Sequence, residues 1–326
     1  MQDGFGRTID YLRVSVTDKC NLRCIYCMPP GGVEWVPHRE MLTFEELLRI
    51  CASAAGLGIS KVKVTGGEPL VRRGLTGFIR ALKRTEGIGS VTLTTNALVL
   101  GDFLEELTGA GIDAVNVSLD TLNEDVFRYI TRTDGFGKVM RSVNMVREAG
   151  IPLKINCVPM RGVNEDDIVP LAEFARHERT AVRFIELMPL GPGANMEAVS
   201  EAEIFELLRR AFGELRPFDG RLGNGPASYY SAAGFAGKIG FISAVSHGFC
   251  GACNRLRLTG AGLLRPCLAS DAAVDMKAVL RGGGDEGAIA GALRTAAMLK
   301  PVRHDFHQTD GYNKRHGKKN MSGIGG

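Results

Sequence analysis

Between residues 10 and 190 the chain alternates two kinds of apolar spacing. Short β-branched runs predict strands: YLRVSV at 11–16, KVKVT at 61–65, SVTLTT at 90–95, DAVNVSL at 113–119, PLKINCV at 152–158 and AVRFIEL at 181–187. Stretches with helical spacing separate several of them, and some have readable starts. Thr43, followed by Glu46 ahead of Leu47, Leu48 and Ile50, has the form of a capping box. Six strands alternating with helices predict parallel pairing through right-handed crossovers, hence an α/β fold, a partial (β/α)6 TIM-like barrel. Ligand chemistry in such a barrel collects where the strands end. There the chain reads TGGEP (65–69), TTN (94–96) and SLD (118–120), and the last two strands run into VPM and LMPL.

After about residue 190 the pattern changes. GPG is followed by a second capping box, Ser200 with Glu203, and then by a glycine-rich hairpin region, GFAGKIGFISAVS. The division this suggests is a barrel over 1–190 and a smaller C-terminal unit over 191–326. Hydrophobic residues at 44% and charged residues at 23% of 326 are enough for a sizeable core. No run approaches the roughly 18 apolar residues that span a bilayer, and MQDGFGRTID lacks the apolar centre of a signal peptide. A cytoplasmic protein without a membrane partner is expected. A net charge of +4 is too small for a nucleic-acid coat, so the cations of NKRHGKKN read as a solvated stretch.

Six of the eight cysteines fall into two sets. Cys20, Cys24 and Cys27 are spaced C-x3-C-x2-C, and Cys250, Cys253 and Cys267 are spaced C-x2-C-x13-C. Cys51 and Cys157 sit in apolar patterns and read as small buried hydrophobes. Clustered cysteines in a reducing compartment are metal ligands more often than disulfides. Three thiolates could simply be buried thiols, and as metal ligands they admit two readings. One is zinc completed by a histidine, His38 for the first set or His247 for the second. The other is a four-iron cluster with one iron left open to a ligand. Arg255 and Arg257, beside the second set, favour the open cluster, because a closed zinc site would leave two guanidiniums without an anion. Further cations lie on the strands with a two-residue period: Arg13, Lys61, Lys63, Lys154 and Arg183. Helices cover the outside of a parallel barrel, so these point to the lumen, where an unpaired ion costs several kcal/mol. A polyanion such as a triphosphate answers that cost.

CNLRCIYCMP after the first strand, with GGEP after the second, resembles the radical S-adenosylmethionine superfamily. With NVSLD, VSHGFCGACNRLRLT, LRPC and a Gly325-Gly326 end, nearly the whole chain resembles the GTP 3′,8-cyclases of molybdenum-cofactor biosynthesis. The resemblance implies a partial barrel of the radical S-adenosylmethionine type, with the C-terminal extension carrying a second cluster. It implies two 4Fe-4S clusters, one on Cys20, Cys24 and Cys27 and one on Cys250, Cys253 and Cys267, the second facing the guanine. Tyr26, Gly67, Ser118 and Met188 would contact S-adenosylmethionine. Arg13, Lys63, Thr94, Lys154, Arg255, Leu256 and Arg257 would contact GTP, with Arg255, Arg257, Gly325 and Gly326 serving the reaction. Lys63 stands where relatives often have Arg, keeping the charge and losing the planar fork. The implied reaction removes hydrogen from C3′ of the ribose and joins C3′ to C8 of the guanine. The implied partners are GTP, an electron donor, the next enzyme of the pathway as product acceptor, and a second copy in a homodimer. Two rivals are a peptide-modifying radical enzyme, for which the additional cysteines are missing, and a zinc protein that binds nucleic acid through its basic tail.

Overall fold

A computed structural model describes residues 1–304 apart from 178 and 221, together with Phe306 and Gly323. The six strands of the barrel form where the alternation predicts them: β1 (Tyr11–Ser15), β2 (Lys61–Thr65), β3 (Ser90–Thr95), β4 (Ala114–Ser118), β5 (Leu153–Cys157) and β6 (Ala181–Ile185). All neighbours among them pair parallel. The helices that cross between them are α1 (Phe44–Gly56), α2 (Leu75–Arg84), α3 (Leu100–Gly109), α4 (Glu124–Thr131), α5 (Phe136–Glu148) and α6 (Ile168–Glu173). Thr43 and Glu46 cap the start of α1 reciprocally, and Ser200 and Glu203 do the same for α7 (Glu201–Phe212). Each cap is worth about 1 kcal/mol.

The residues beyond α7 continue the same sheet. The hairpin of β8 (Ser228–Ala232) and β9 (Lys238–Ile242) follows β7 (Leu215–Phe218), and β9 runs parallel to β6. The chain then crosses to the far side, where β10 (Arg255–Leu258) runs parallel to β1, followed by β11 (Leu263–Arg265) and β12 (Val274–Asp275). The order is β12-β11-β10-β1-β2-β3-β4-β5-β6-β9-β8-β7. The chain then forms α8 (Met276–Arg281) and α9 (Glu286–Met298).

Alternation decides which face does what. Leu12, Val14, Val62, Val64, Val115 and Val117 are buried in one continuous core with apolar residues of the helices. The positions between them, Arg13, Lys63 and Asn116, line a cavity on the opposite face. Among the described residues no helix is long and apolar enough to cross a membrane.

Candidate active site

The first cysteine set lies on the segment that leaves β1. Cys27 and Met28 donate their backbone N–H groups to the Cys24 carbonyl at 2.9 and 3.1 Å, which folds the segment into a tight turn. GGEP supports it from β2. A Cβ on Gly66 would lie 2.7 Å from the Thr17 carbonyl oxygen, and one on Gly67 would lie 2.6 Å from that of Asp18 and strike that of Lys19. The Gly67 N–H donates to Thr17 at 2.7 Å and the Glu68 N–H to Lys19 at 2.8 Å. The glycines are therefore required for seating the cysteine segment on the GGEP loop. Both glycines also line the cavity, where the lack of a Cβ lets a ligand approach the backbone.

Glu68 is buried and accepts from Thr95 Oγ1 at 2.7 Å, Asn96 N at 2.7 Å and Leu70 N at 3.1 Å. Burial, partly offset by those bonds, pushes its carboxyl up to about 7. Asn96, held in this way, donates through Nδ2 to Asn21 Oδ1 at 2.7 Å and reaches Cys20 Sγ at 3.8 Å. Tyr26 donates its hydroxyl to Asp120 Oδ2 at 2.9 Å, and burial pushes Asp120 up to about 6.

All six clustered cysteines, with Tyr26, Gly67, Thr94, Ser118 and Met188, line one cavity. Arg13, Lys63, Arg255 and Arg257 line it too, joined by Arg183. Burial lowers the proton affinity of Arg13, with Arg255 and Arg183 adding to it, and holds Lys63 and Arg257 well below their ordinary values. Asn156 Oδ1 and Arg183 Nε are buried without a hydrogen-bond partner among the described residues, each at a cost of about 1–3 kcal/mol that a polar ligand would remove.

The donor chemistry fits iron–sulfur clusters. Burial pushes the Cys20 thiol up and the Cys24 thiol well up, so both need a metal to deprotonate them. Burial pushes Cys253 the same way, but Arg255 and Lys300 outweigh it and bring that thiol to about 6. Neither His38 nor His247, the histidines of the zinc readings, lines the cavity, whereas His304 does, beside Cys250. Among the described residues no three metal-binding side chains converge closely enough to hold a lone ion.

Several sequence expectations meet a different environment. Lys61 does not reach the lumen, because its ammonium pairs with Asp10 at 2.7 Å where β2 begins. Lys154 is not part of the cavity lining. It donates to the Leu222 carbonyl at 2.6 Å, and burial with Arg183 nearby lowers its pKa to about 8. Leu256 is fully buried in the core between the two arginines, so what it offers a ligand is its backbone. Gly325 and Gly326 lie outside the described residues. Cys51 and Cys157 are buried, and burial pushes Cys51 to about 12. Asn96, Asn116, Asp120 and Asn156 line the cavity without having been named as site residues, while Arg183 lines it as its place on the strand predicts. The alternation on β4 to β6 carries the signal for Asn116, Asn156 and Arg183, since each lies at an even spacing from Ser118, Lys154 or Ile185 along its strand.

The sequence profile of the radical SAM superfamily matches residues 14–175, and that of the C-terminal part of molybdenum cofactor synthesis proteins matches residues 180–306. The GTP 3′,8-cyclase of Pelotomaculum thermopropionicum is 44% identical over 100% of both chains. That of Heliobacterium modesticaldum is 46% identical, again over 100% of both. The chain belongs to the GTP 3′,8-cyclase family. Among solved structures, Streptococcus suis SuiB bound to S-adenosylmethionine superposes with a TM-score of 0.61 at 16% identity, over 88% of this chain and 68% of that one. That likeness concerns the fold. Membership of the GTP 3′,8-cyclase family brings with it two four-iron clusters and S-adenosylmethionine as cofactors.

Proposed function

We propose that this chain converts GTP to its 3′,8-cyclised dihydro product, the first step toward the molybdenum cofactor. The observation that carries the reading is the convergence of Arg13, Lys63, Arg183, Arg255 and Arg257 on the cavity that both cysteine sets line. Buried like charges are tolerated where a multiply charged anion binds among them.

Cys20, Cys24 and Cys27 would hold the cluster that binds S-adenosylmethionine, and Cys250, Cys253 and Cys267 the one that meets the purine. Bound there, these groups would supply hydrogen-atom abstraction from the ribose, and the net substrate change would be a C3′–C8 bond, with the hydrogen lost from C3′ balanced by one electron and one proton on the purine. The chain's own contribution is position. Tyr26, anchored by Asp120, and Ser118, Gly67 and Met188 line the part of the wall assigned to S-adenosylmethionine. Arg13, Lys63 and Arg257 bind phosphate oxygens, with Lys154 adding charge from behind the wall and Thr94 and the Leu256 backbone completing the contacts. Arg255 lies over the Phe249 ring at 4.9 Å, which fixes its guanidinium beside Cys253. Holding the ribose beside the radical source in a water-poor chamber accounts for most of the rate. Gly325 and Gly326 enter this reading through the family resemblance. So do a one-electron donor, delivery of the product to the next enzyme, a homodimer and a cytoplasmic location.

The test is anaerobic reconstitution with iron and sulfide, followed by reductant, S-adenosylmethionine and GTP. 5′-Deoxyadenosine and a nucleotide isomeric with GTP are the expected products. Cleavage of S-adenosylmethionine that responds to a peptide and not to GTP would replace this reading with the peptide-modifying one.

A further inference from the structure

Lys300 follows α9 and is 3% exposed. A lysine at a helix end ordinarily binds the last carbonyls of its own helix. This one does not: its ammonium donates to the carbonyls of Arg255 and Pro266, at 2.8 Å each. Arg255 is two residues past Cys253, and Pro266 immediately precedes Cys267. A single ammonium therefore joins the two arms of the second cysteine set. An ammonium has three donors, two of them here on carbonyls, and burial lowers its proton affinity while the nearby Cys253 and Cys267 thiols raise it. The stretch that Lys300 begins meets Cys250 as well, through the His304 backbone N–H at 3.4 Å from its Sγ. Arg7 fastens that stretch by donating to the Pro301 carbonyl at 2.7 Å and the Cys250 carbonyl at 2.8 Å.

We propose that Lys300 is a positioning residue for the second cysteine set, holding Cys253 and Cys267 at cluster-binding separation and supplying the counter-charge that eases reduction of the cluster. This rests on the reading of that set as a cluster site. A cation buried against the cysteine sulfurs stabilises the more negative, reduced cluster. Because the ammonium also grips the backbone, its charge is fixed in place.

The experiment uses full-length chain with Cys20, Cys24 and Cys27 replaced by alanine, so that only the second set contributes iron. Iron content and a redox titration followed by electron paramagnetic resonance are compared for Lys300, Lys300→Gln, Lys300→Met and Lys300→Arg. Removing the charge should lower the ratio of reduced to oxidised cluster about tenfold at a potential that half-reduces the parent, which is about 59 mV for one electron. Lys300→Gln can still bond one carbonyl and so isolates the charge, and Lys300→Arg should stay near the parent. Parental iron content and potential in Lys300→Gln would overturn the proposal. So would general unfolding of both neutral variants, seen by circular dichroism, since Lys300 would then serve the fold and not the cluster. A parent that binds no iron would instead overturn the cluster reading itself.

Discussion

Arg13 on β1 and Arg257 on β10 occupy opposite positions in the register of two neighbouring parallel strands, and Lys63 on β2 faces Arg13 from the other side. Three cations thus form a row across three strands, each half-buried where it lines the cavity and each disfavouring the charge of its neighbours. A row of that kind lowers the stability of the empty protein and raises its affinity for a polyanion.

Removing one member should separate the two effects. Arg257→Ala is expected to lower cyclase turnover at least about tenfold, since a bidentate phosphate contact contributes upwards of ~1.4 kcal/mol. The melting temperature of the ligand-free variant should equal or exceed that of the parent, and the upward shift produced by GTP should shrink. A variant that melts lower without ligand and keeps the full GTP shift would argue that Arg257 is structural.

Binding is expected to depend on pH through Lys154. Burial and Arg183 bring its pKa to about 8, and a triphosphate arriving nearby would move it back up. Binding then takes up a proton, so affinity for GTP should fall as the pH rises above about 8. Titration calorimetry in buffers of different ionisation enthalpy measures that uptake. Lys154→Arg should reduce it, whereas an unchanged uptake would assign the proton to another group.

Gly67→Ala sets a methyl group against the carbonyls of Asp18 and Lys19. Backbone on both sides leaves little room to adjust, and the overpacking should cost about 1–3 kcal/mol. The expected phenotype is local. Iron content should fall to about half through loss of the cluster at Cys20, Cys24 and Cys27, while the second set still loads. Equal loss at both sets would show that the glycine supports the whole sheet.

Glu68 makes a prediction for the metal-free chain. Its pKa is raised to about 7 in the folded state, so between the ordinary glutamate range and pH 7 the folded chain binds more protons than the unfolded chain. Its contribution to stability is complete below that window and declines as the pH rises through it, by on the order of 3 kcal/mol. Denaturant unfolding of metal-free Glu68→Gln between pH 5 and 8 should show a flatter profile than the parent. Parallel profiles would mean that the carboxyl titrates normally.

The backbone of the barrel was legible because a strand buried on one face and functional on the other must alternate, and KVKVT or SVTLTT does so openly. Both capping boxes were legible for a similar reason, since the two residues involved are only three apart. What alternation cannot supply is the neighbour a side chain meets. Lys61 and Lys63 share a face of one strand, yet Asp10 occupies the first and leaves the second to the cavity. GGEP was readable as a motif, but the carbonyls of Thr17, Asp18 and Lys19 that exclude a Cβ from its glycines belong to another loop. Asn116 and Arg183 face the cavity and bond each other at 3.0 Å, a pairing between β4 and β6 that spacing along neither strand reveals.

Because β10 docks on β1, β1 waits for a strand made much later in the chain before that side of it is paired. A nascent chain would carry an open sheet margin through most of its synthesis, which invites pairing with other chains. The first cysteine set is made soon after β1, whereas the second flanks β10 and β11, the strands that extend the sheet beyond β1. Assembly of this protein in a host with slow iron–sulfur loading should therefore benefit from chaperones that shield strand edges.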